Sequence, residues 1–301
     1  MKINVLVFAV SFLVQSCLGL QPLQTRSLRR VAPIMSSTIG RKESFWREVA
    51  FGLAEQFSLK EVKRVIQFGE FARGELPAPI WGAKAPGHEP CEEYIDGLEA
   101  KPWHDPTEFS WIAGLEANAA VIQAELAAVL AEDSLSFNAD SALQTQVMGS
   151  GWSALRLQRL GRWNEANMAR FPKTTALLAE LNVPTAMRGV MFARQAPGSR
   201  VGKHSDGRNF VLTAHLGLQV PLPEAGECWM EVGGERQRWE EGKCVVIDTS
   251  FSHETCNLGP HSRHVLILDF WHPGLSEAEQ KALKFVYDLR YKYDSELINA
   301  S

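Results

Sequence analysis

His204-Ser205-Asp206 sets an imidazole and a carboxylate two residues apart. In an extended segment, side chains two apart leave the same face, so both can reach one ion. His253 follows 49 residues later, at the end of an apolar run. Two neutral imidazoles and one carboxylate on one side of a divalent ion leave three positions open, the facial arrangement of non-haem Fe(II) oxygenases. An iron site needs those openings to hold a bidentate co-substrate together with O2. Arg263, ten residues beyond His253, adds a fork-shaped donor suited to the far carboxylate of 2-oxoglutarate. A His-x-Asp step alone recurs by chance; the distal histidine and the arginine make the set specific.

Elements of period two must position these groups. Phe210, Leu212, Ala214, Leu216, Leu218 and Val220 alternate with Val211, Thr213, His215, Gly217 and Gln219. One set is wholly apolar and the other carries a histidine, so the spacing predicts a strand with one face on a core and the other toward a cavity. Val245–Phe251 and Arg263–Trp271 read as further strands. Gly233-Gly234 between Cys228–Val232 and Glu235–Trp239 predicts a hairpin. Evenly spaced strands with turn signals suggest a barrel or jelly roll.

From Glu43 to Asn182 the pattern reads mainly helical. Trp46, Val49, Leu53 and Phe57 share a helical face, and Ser58 with Glu61 predicts a capping box for a second helix ending near Gly74. Gly74–Pro102 reads as a long surface loop. Asp105-Pro106-Thr107-Glu108 predicts a helix start, with Ile112, Leu115, Ala119, Ile122, Leu126 and Val129 as its buried stripe. Phe171-Pro172 opens a short helix through Leu181, and Ser276 with Glu279 caps a closing helix through about Arg290.

The 301 residues are 45% hydrophobic and 22% charged, a globular balance that excludes a disordered tail, a collagen and a polytopic membrane protein. A net charge of −4 offers no electrostatic grip on nucleic acid. Five cysteines without a C-x-x-C pair exclude a dense disulfide scaffold and a zinc ribbon. Cys228, Cys244 and Cys256 read as buried thiols. His88, His104, His261 and His264 read as structural or solvent-facing, and His272 as ordering a strand end.

Met1–Lys42 has six basic residues and no acid, leaving 25 basic against 35 acidic residues beyond it. Lys2, the apolar run Val5–Val14 and the small residues Cys17 and Gly19 lay out a secretory signal peptide with no membrane span expected in the mature chain. An uncleaved anchor over residues 3–20 is the alternative. Leu20–Lys42 is Arg- and Ser-containing, which suits either a transit peptide behind the signal, hence a plastid, or a basic linker, hence the ER lumen or secretion. The expected organisation is a leader over 1–42, a helical segment over 43–93 and an oxygenase domain over 94–292.

The linked motifs resemble the aspartyl/asparaginyl β-hydroxylase family. They are His204-Ser-Asp-Gly-Arg-Asn, Ala-His215-Leu-Gly-Leu-Gln-Val-Pro, Trp239-Glu-Glu-Gly-Lys-Cys-Val-Val-Ile-Asp248, Ser250-Phe-Ser-His253-Glu and Asp269-Phe-Trp-His-Pro273. Lys101-Pro-Trp-His-Asp105, Arg162-Trp-Asn-Glu165 and Pro172-Lys-Thr-Thr-Ala-Leu-Leu178 also fit, so the resemblance covers roughly Tyr94 to Leu283. It implies a mainly β fold, a double-stranded β-helix (jelly-roll or cupin-like) catalytic core with flanking helices. It also implies an Fe(II)- and 2-oxoglutarate-dependent dioxygenase using O2. Carried over by position, His204 and His253 bind iron, Arg263 holds the 2-oxoglutarate side-chain carboxylate and His215 contacts its other end.

The departures from the family pattern bear on substrate rather than on cofactor chemistry. The animal enzyme has glycine where this chain has Asp206, which resembles bacterial members including lipid A hydroxylases. The animal enzyme's arginine two residues before the second motif histidine is Thr213 here, and its serine in the preceding strand is Ala193. Arg194 and Arg208 are the candidate replacements. The animal domain's cysteine pair aligns with Met168 and Thr175. Its preceding tetratricopeptide-like region does not fit within 43–90. Three functions follow: hydroxylation of an unactivated C–H, with the β-carbon of Asp or Asn in a peptide or protein as one target; the same chemistry on a lipid or small metabolite; or a metal-binding jelly roll without turnover.

Overall fold

Strands buried on both faces organise the chain. In the computed structural model, which describes residues 31–76, 87–132, 137, 148–149 and 151–300, all nine residues of Arg263–Trp271 are buried. The strands are β1 (Trp103–His104), β2 (Trp152–Arg159), β3 (Arg162–Trp163), β4 (Thr185–Gln195), β5 (Ser199–His204), β6 (Val211–Gln219), β7 (Cys228–Val232), β8 (Glu235–Gln237), β9 (Cys244–Asp248), β10 (His253–Asn257) and β11 (Arg263–Trp271). They form a seven-stranded sheet, β1-β9-β6-β11-β4-β2-β3, and a four-stranded sheet, β5-β10-β7-β8. All ladder pairs are antiparallel. The fold is mainly β, a double-stranded β-helix with flanking helices.

The helices are α1 (Val31–Gln56), α2 (Lys63–Arg73), α3 (Ser110–Ala117), α4 (Ala119–Glu132), α5 (Glu165–Arg170), α6 (Pro172–Glu180) and α7 (Glu277–Ala300). One face of the large sheet, through Leu155, Phe192, Leu212, Leu216, Leu266 and Leu268, packs on Ile112, Leu115, Ile122, Leu126 and Val129 of α3 and α4. The other face, through Trp152, Ala154, Met191, Ala193, Val265 and Ile267, meets Val201, Met230 and Val232 of the small sheet. Burying each large apolar side chain contributes about 1.5–3 kcal/mol. A third cluster joins Trp46, Val49 and Leu53 of α1 to Val65 and Phe68 of α2, Leu283 and Val286 of α7, Val211 and Trp271 of the sheet, and Phe210 just before β6. Contacts divide the chain into Met1–Ser44 and Phe45–Ser301, and all three clusters lie within the second unit. Most of the expected leader, residues 1–30, lies outside the described residues. Helix α1 crosses its expected end at Lys42. Among the described residues no single helix is long and apolar enough to cross a membrane; the bent pair α3 and α4 passes that test together, and its apolar stripe is the one buried against the large sheet.

Several expectations need correction. The region to Asn182 is not mainly helical throughout, because it contains β2. Its residues Ala154, Leu155, Arg156, Leu157 and Gln158 favour helix intrinsically, but pairing with β4 along six positions overrides that preference. Ser58 and Glu61 form no capping box. The Ser58 carbonyl instead accepts from the N–H groups of Glu61 and Val62, and α2 starts at Lys63 without a side-chain cap. Ser276 and Glu279 do form one: each side chain takes the other's backbone N–H, at 3.2 and 2.9 Å. The helix expected from Asp105 is broken at Phe109, which adopts an extended backbone and places its ring 5.0 Å from Phe270. It breaks again at Asn118, whose side chain caps the Gly114 carbonyl. His253 does not end an apolar strand. Strand β9 stops at Asp248, whose carboxylate takes the N–H and hydroxyl of Ser250, and His253 opens β10.

The expected surface loop also turns inward in its described part. Ile95 is fully buried, and its N–H and C=O are both satisfied by the Asn209 side chain at 2.9 Å. Two residues earlier, Glu93 accepts from Tyr287 and Arg290 of α7 and lies 3.2 Å from Arg208 Nε. Burial alone would raise its carboxyl, but Arg208 and Arg290 more than reverse this and hold it at about 2. A depressed folded value stabilises the protein above the unfolded value of about 4.3, and that contribution is lost as pH falls toward the folded value. Glu93→Ala should cost about 3–5 kcal/mol in urea unfolding at neutral pH, because it strands buried guanidinium charge. Glu93→Gln should flatten the acid limb of stability between about pH 4.3 and its folded value. An acid limb unchanged in that variant would show that other carboxylates carry it.

Candidate metal centre

His204 closes β5 and His253 opens β10, and the ladder pairs them directly, with ring centroids 4.2 Å apart. Each ring is oriented by its own strand. His204 Nδ1 donates to the Gly202 carbonyl at 2.8 Å, and His253 Nδ1 donates to the Phe251 carbonyl at 2.9 Å. A carbonyl can only accept, so each Nδ1 carries a proton, which leaves Nε2 as the nitrogen available to a metal. Burial pulls the His253 imidazole down to about 4, so it is neutral near pH 7, the form a metal requires.

Asp206 reaches the same place from a turn pinned to the β9–β10 connection. Its N–H donates to the Thr249 carbonyl at 2.9 Å. Ser205 donates its hydroxyl to the Ser250 carbonyl at 3.0 Å and accepts from Gly207 N–H at 3.1 Å. Beneath this, Ser250 Oγ meets His88 Nε2 at 3.0 Å. One ligand atom each from His204, Asp206 and His253 lies within 4.8 Å of the others. Burial would raise the Asp206 carboxyl, but the Arg188 guanidinium against it more than reverses this and holds it well below the usual carboxylate range. Two imidazoles and one carboxylate brought this close together fit Fe(II) by donor type.

The inner face of the large sheet runs away from this cluster in rows. Thr213 and Asp269 are register partners, joined by a 2.7 Å hydrogen bond from Thr213 Oγ1. Next come His215, Ile267, Met191 and Arg156, then Gly217, Val265, Ala193 and Ala154. Arg263 lies beyond, paired with Gln195. Arg263 is 1% exposed, and its Nε and Nη1 have no hydrogen-bond partner among the described residues. Burial lowers it to about 10, so it is charged at neutral pH. Among the described residues its charge is met by the Trp239 ring, 4.2 Å from Cζ, a contact worth roughly 0.5–2 kcal/mol. Trp239 also lies nearly coplanar with His215, ring centroids 6.1 Å apart, and donates Nε1–H to His215 Nδ1 at 3.3 Å. With burial holding His215 at about 3, the ring is neutral and carries its proton on Nε2, a donor for an anion. A buried, uncompensated guanidinium with a neutral donor nearby fits the carboxylates of 2-oxoglutarate.

The structure thus brings His204, Asp206 and His253 together and buries His215 and Arg263 on the facing sheet. Neither Arg194 nor Arg208 stands in for the missing clamp residues. Arg194 leaves the face opposite Ala193 and donates to Ser262, and Arg208 is held by Glu93. Cys228, Cys244 and Cys256 are free and buried. His272 does order its strand end, with Nδ1 accepting from Gly274 and Nε2 donating to the Glu99 carbonyl. Sequence reasoning missed Arg188. Its only signal was Gly189, a glycine inside a strand pattern, which can mark a bulge.

A family model described as aspartyl/asparaginyl beta-hydroxylase matches residues 116–273, more than half of the chain. The aspartyl/asparaginyl beta-hydroxylases of Mus musculus and Homo sapiens are each 32% identical over 195 residues, covering 63% of this chain and 26% and 25% of theirs. Aspartate beta-hydroxylase domain-containing protein 2 of Homo sapiens is 32% identical over 144 residues, 45% of this chain and 37% of that one. The chain spans about a quarter to just over a third of the length of these relatives. Among solved structures, a Pseudomonas putida prolyl-4-hydroxylase aligns at 16% identity with a TM-score of 0.35, covering 54% of this chain and 100% of that one.

The unpaired Arg263 has a measurable consequence. A buried charge without a partner costs stability. Arg263→Met should therefore raise the melting temperature of the ligand-free protein, by an amount equivalent to roughly 1 kcal/mol or more. A lower melting temperature would mean that the Trp239 contact outweighs the desolvation.

Proposed function

This chain belongs to the aspartyl/asparaginyl β-hydroxylase family, and we propose that it is an Fe(II)- and 2-oxoglutarate-dependent dioxygenase that hydroxylates an unactivated C–H bond. The favoured target is the β-carbon of Asp or Asn in a peptide. The observation that carries this reading is Arg263: a buried guanidinium with no anion against it among the described residues, on the sheet that faces His204, His253 and the Asp206 carboxylate. That combination serves a dicarboxylate co-substrate better than it serves a stored metal.

His204, Asp206 and His253 hold the ion from one side, and the Nδ1–carbonyl bonds keep both imidazoles in the ligating tautomer. Arg263 takes the far carboxylate of 2-oxoglutarate in a two-pronged contact, with Trp239 fixing the plane of its guanidinium. His215 offers Nε2–H to the co-substrate without adding charge. Bound iron supplies the activation of O2 that couples decarboxylation of 2-oxoglutarate to succinate and CO2 with hydroxylation. The sandwich of Met191, Ala193, Val265 and Ile267 against the small sheet excludes water, which limits oxidation uncoupled from substrate. On the large sheet beside Asp206 lie the polar groups Arg188 and Asp269, which favours a polar peptide over an acyl chain.

Succinate formation that needs both Fe(II) and 2-oxoglutarate separates this reading from a binding protein, and comparison of peptide, lipid and metabolite pools selects the substrate. His253→Ala should abolish metal binding and succinate formation; turnover retained in that variant would remove the triad. Asp206→Ala should weaken both severely, whereas Asp206→Gly admits water at the vacated position and should keep some activity. If both bind Fe(II) and turn over like the parent, the chain uses two histidines only. Arg263→Ala should raise the 2-oxoglutarate requirement roughly 30–150-fold, the loss of about 2–3 kcal/mol, with metal affinity unchanged.

A further inference from the structure

Asp206 meets a second cation that neither the motif pattern nor the triad accounts for. Arg188 Nη1 contacts Asp206 Oδ2, and Arg188 Nε lies 4.0 Å from Asp269 Oδ2. Asp269 is itself held through its other oxygen by Thr213 Oγ1 at 2.7 Å. The chain Thr213–Asp269–Arg188–Asp206 therefore spans β6, β11, β4 and the turn after β5. Arg188 is one-third exposed and Asp206 less so, which places the pair at the outer end of the interior rows.

The backbone of β4 is deformed to make this contact. Met191 and Ala193 belong to the inner cluster, so in a regular strand Arg188 would leave the opposite face. Between Leu268 and Phe270 of β11, however, the partner on β4 moves from Val190 to Thr185. Between those pairs one residue of β11 opposes four of β4, and the extra residues form a bulge. Gly189 sits in it at φ 125°, and a Cβ there would lie 1.9 Å from the Gln158 carbonyl oxygen. A bulge of this kind re-aims a side chain, and here it turns Arg188 inward onto Asp206.

We propose that Arg188 is a positioning residue that keeps Asp206 a one-oxygen ligand, so that the positions 2-oxoglutarate needs stay open. The inference rests on the iron and 2-oxoglutarate reading above. A carboxylate beside a divalent ion can offer one oxygen or two. A guanidinium against Oδ2, backed by Asp269, holds the group against the rotation that would bring both oxygens onto the ion. A second oxygen would occupy a position required by a chelating co-substrate. Removing Arg188 also removes a positive charge near the metal, so metal affinity and co-substrate affinity should move in opposite directions. A merely structural arginine would move them together.

The test uses the full chain, with Co(II) as a spectroscopic substitute for iron. Arg188→Met should bind Co(II) as tightly as the parent or more tightly, with a changed absorption band. It should bind 2-oxoglutarate at least ~10-fold more weakly when metal-loaded. Arg188→Lys should recover part of that affinity through a single point contact. In an Asp206→Ala background, Arg188→Met should have no further effect on 2-oxoglutarate binding. Should the Met variant fail to fold, Arg188→Gln is expected to show the same split. Loss of Co(II) and 2-oxoglutarate binding together, unchanged values for both, or an equal effect in the Asp206→Ala background overturns the proposal. If the metal-loaded parent itself fails to bind 2-oxoglutarate, the functional reading falls and this inference falls with it.

Discussion

In the β5–β10 ladder His204 stands directly opposite His253, and a slip of one residue would send one ring to the outer face. The register is set by apolar contacts, not by the histidines. Thr255 pairs with Val201 on one side and Met230 on the other, and His253 pairs with Val232. Val201, Met230 and Val232 all belong to the inner cluster. Burying that row holds β10 between β5 and β7, and a register shift between Thr255 and His253 then brings His204 opposite His253. The turn carrying Asp206 is then stitched to Thr249 and Ser250 through Ser205 and main-chain bonds, so the third donor inherits the same register.

Charge inside the sandwich is handled differently at its two ends. Beside the His204–Asp206–His253 cluster, Arg188 lies against Asp206 and near Asp269, so positive and negative groups offset one another. At the far end Arg263 has an aromatic face and, among the described residues, no partner for Nε and Nη1. The first arrangement costs little without ligand; the second leaves an unmet charge that an incoming dianion can satisfy. Such a site trades ground-state stability for affinity.

The helices hold this geometry from outside. Phe109 gives up helical backbone to pack on Phe270, and α3 and α4 cover the sheet face opposite the site. On another side, Glu93 ties the inward loop to Arg208 and to α7. Arg208 follows Asp206 by two residues, so that buried cluster also fixes the far end of the ligand-bearing turn.

The cluster of His204, Asp206 and His253 was legible in the sequence because its pattern is local. His204 and Asp206 lie two apart, and the alternation from Phe210 to Val220 announced a strand with one core face and one cavity face. The Gly233-Gly234 hairpin and the Ser276–Glu279 cap were equally local, since each depends on residues within a few positions of one another. Strand β2 was not legible: its residues prefer helix, and only pairing with β4 makes it a strand. The Ser58–Glu61 pattern promised a cap that the fold did not use. Arg188 was invisible for a stronger reason. Strand parity assigns it to the wrong face, and only a bulge at Gly189, imposed by pairing with β2 and β11, reverses that assignment. Residue types and short spacings determined which chemistry this chain can do. Long-range strand pairing decided which charges meet, because a side chain's direction in a sheet depends on the register of its neighbours.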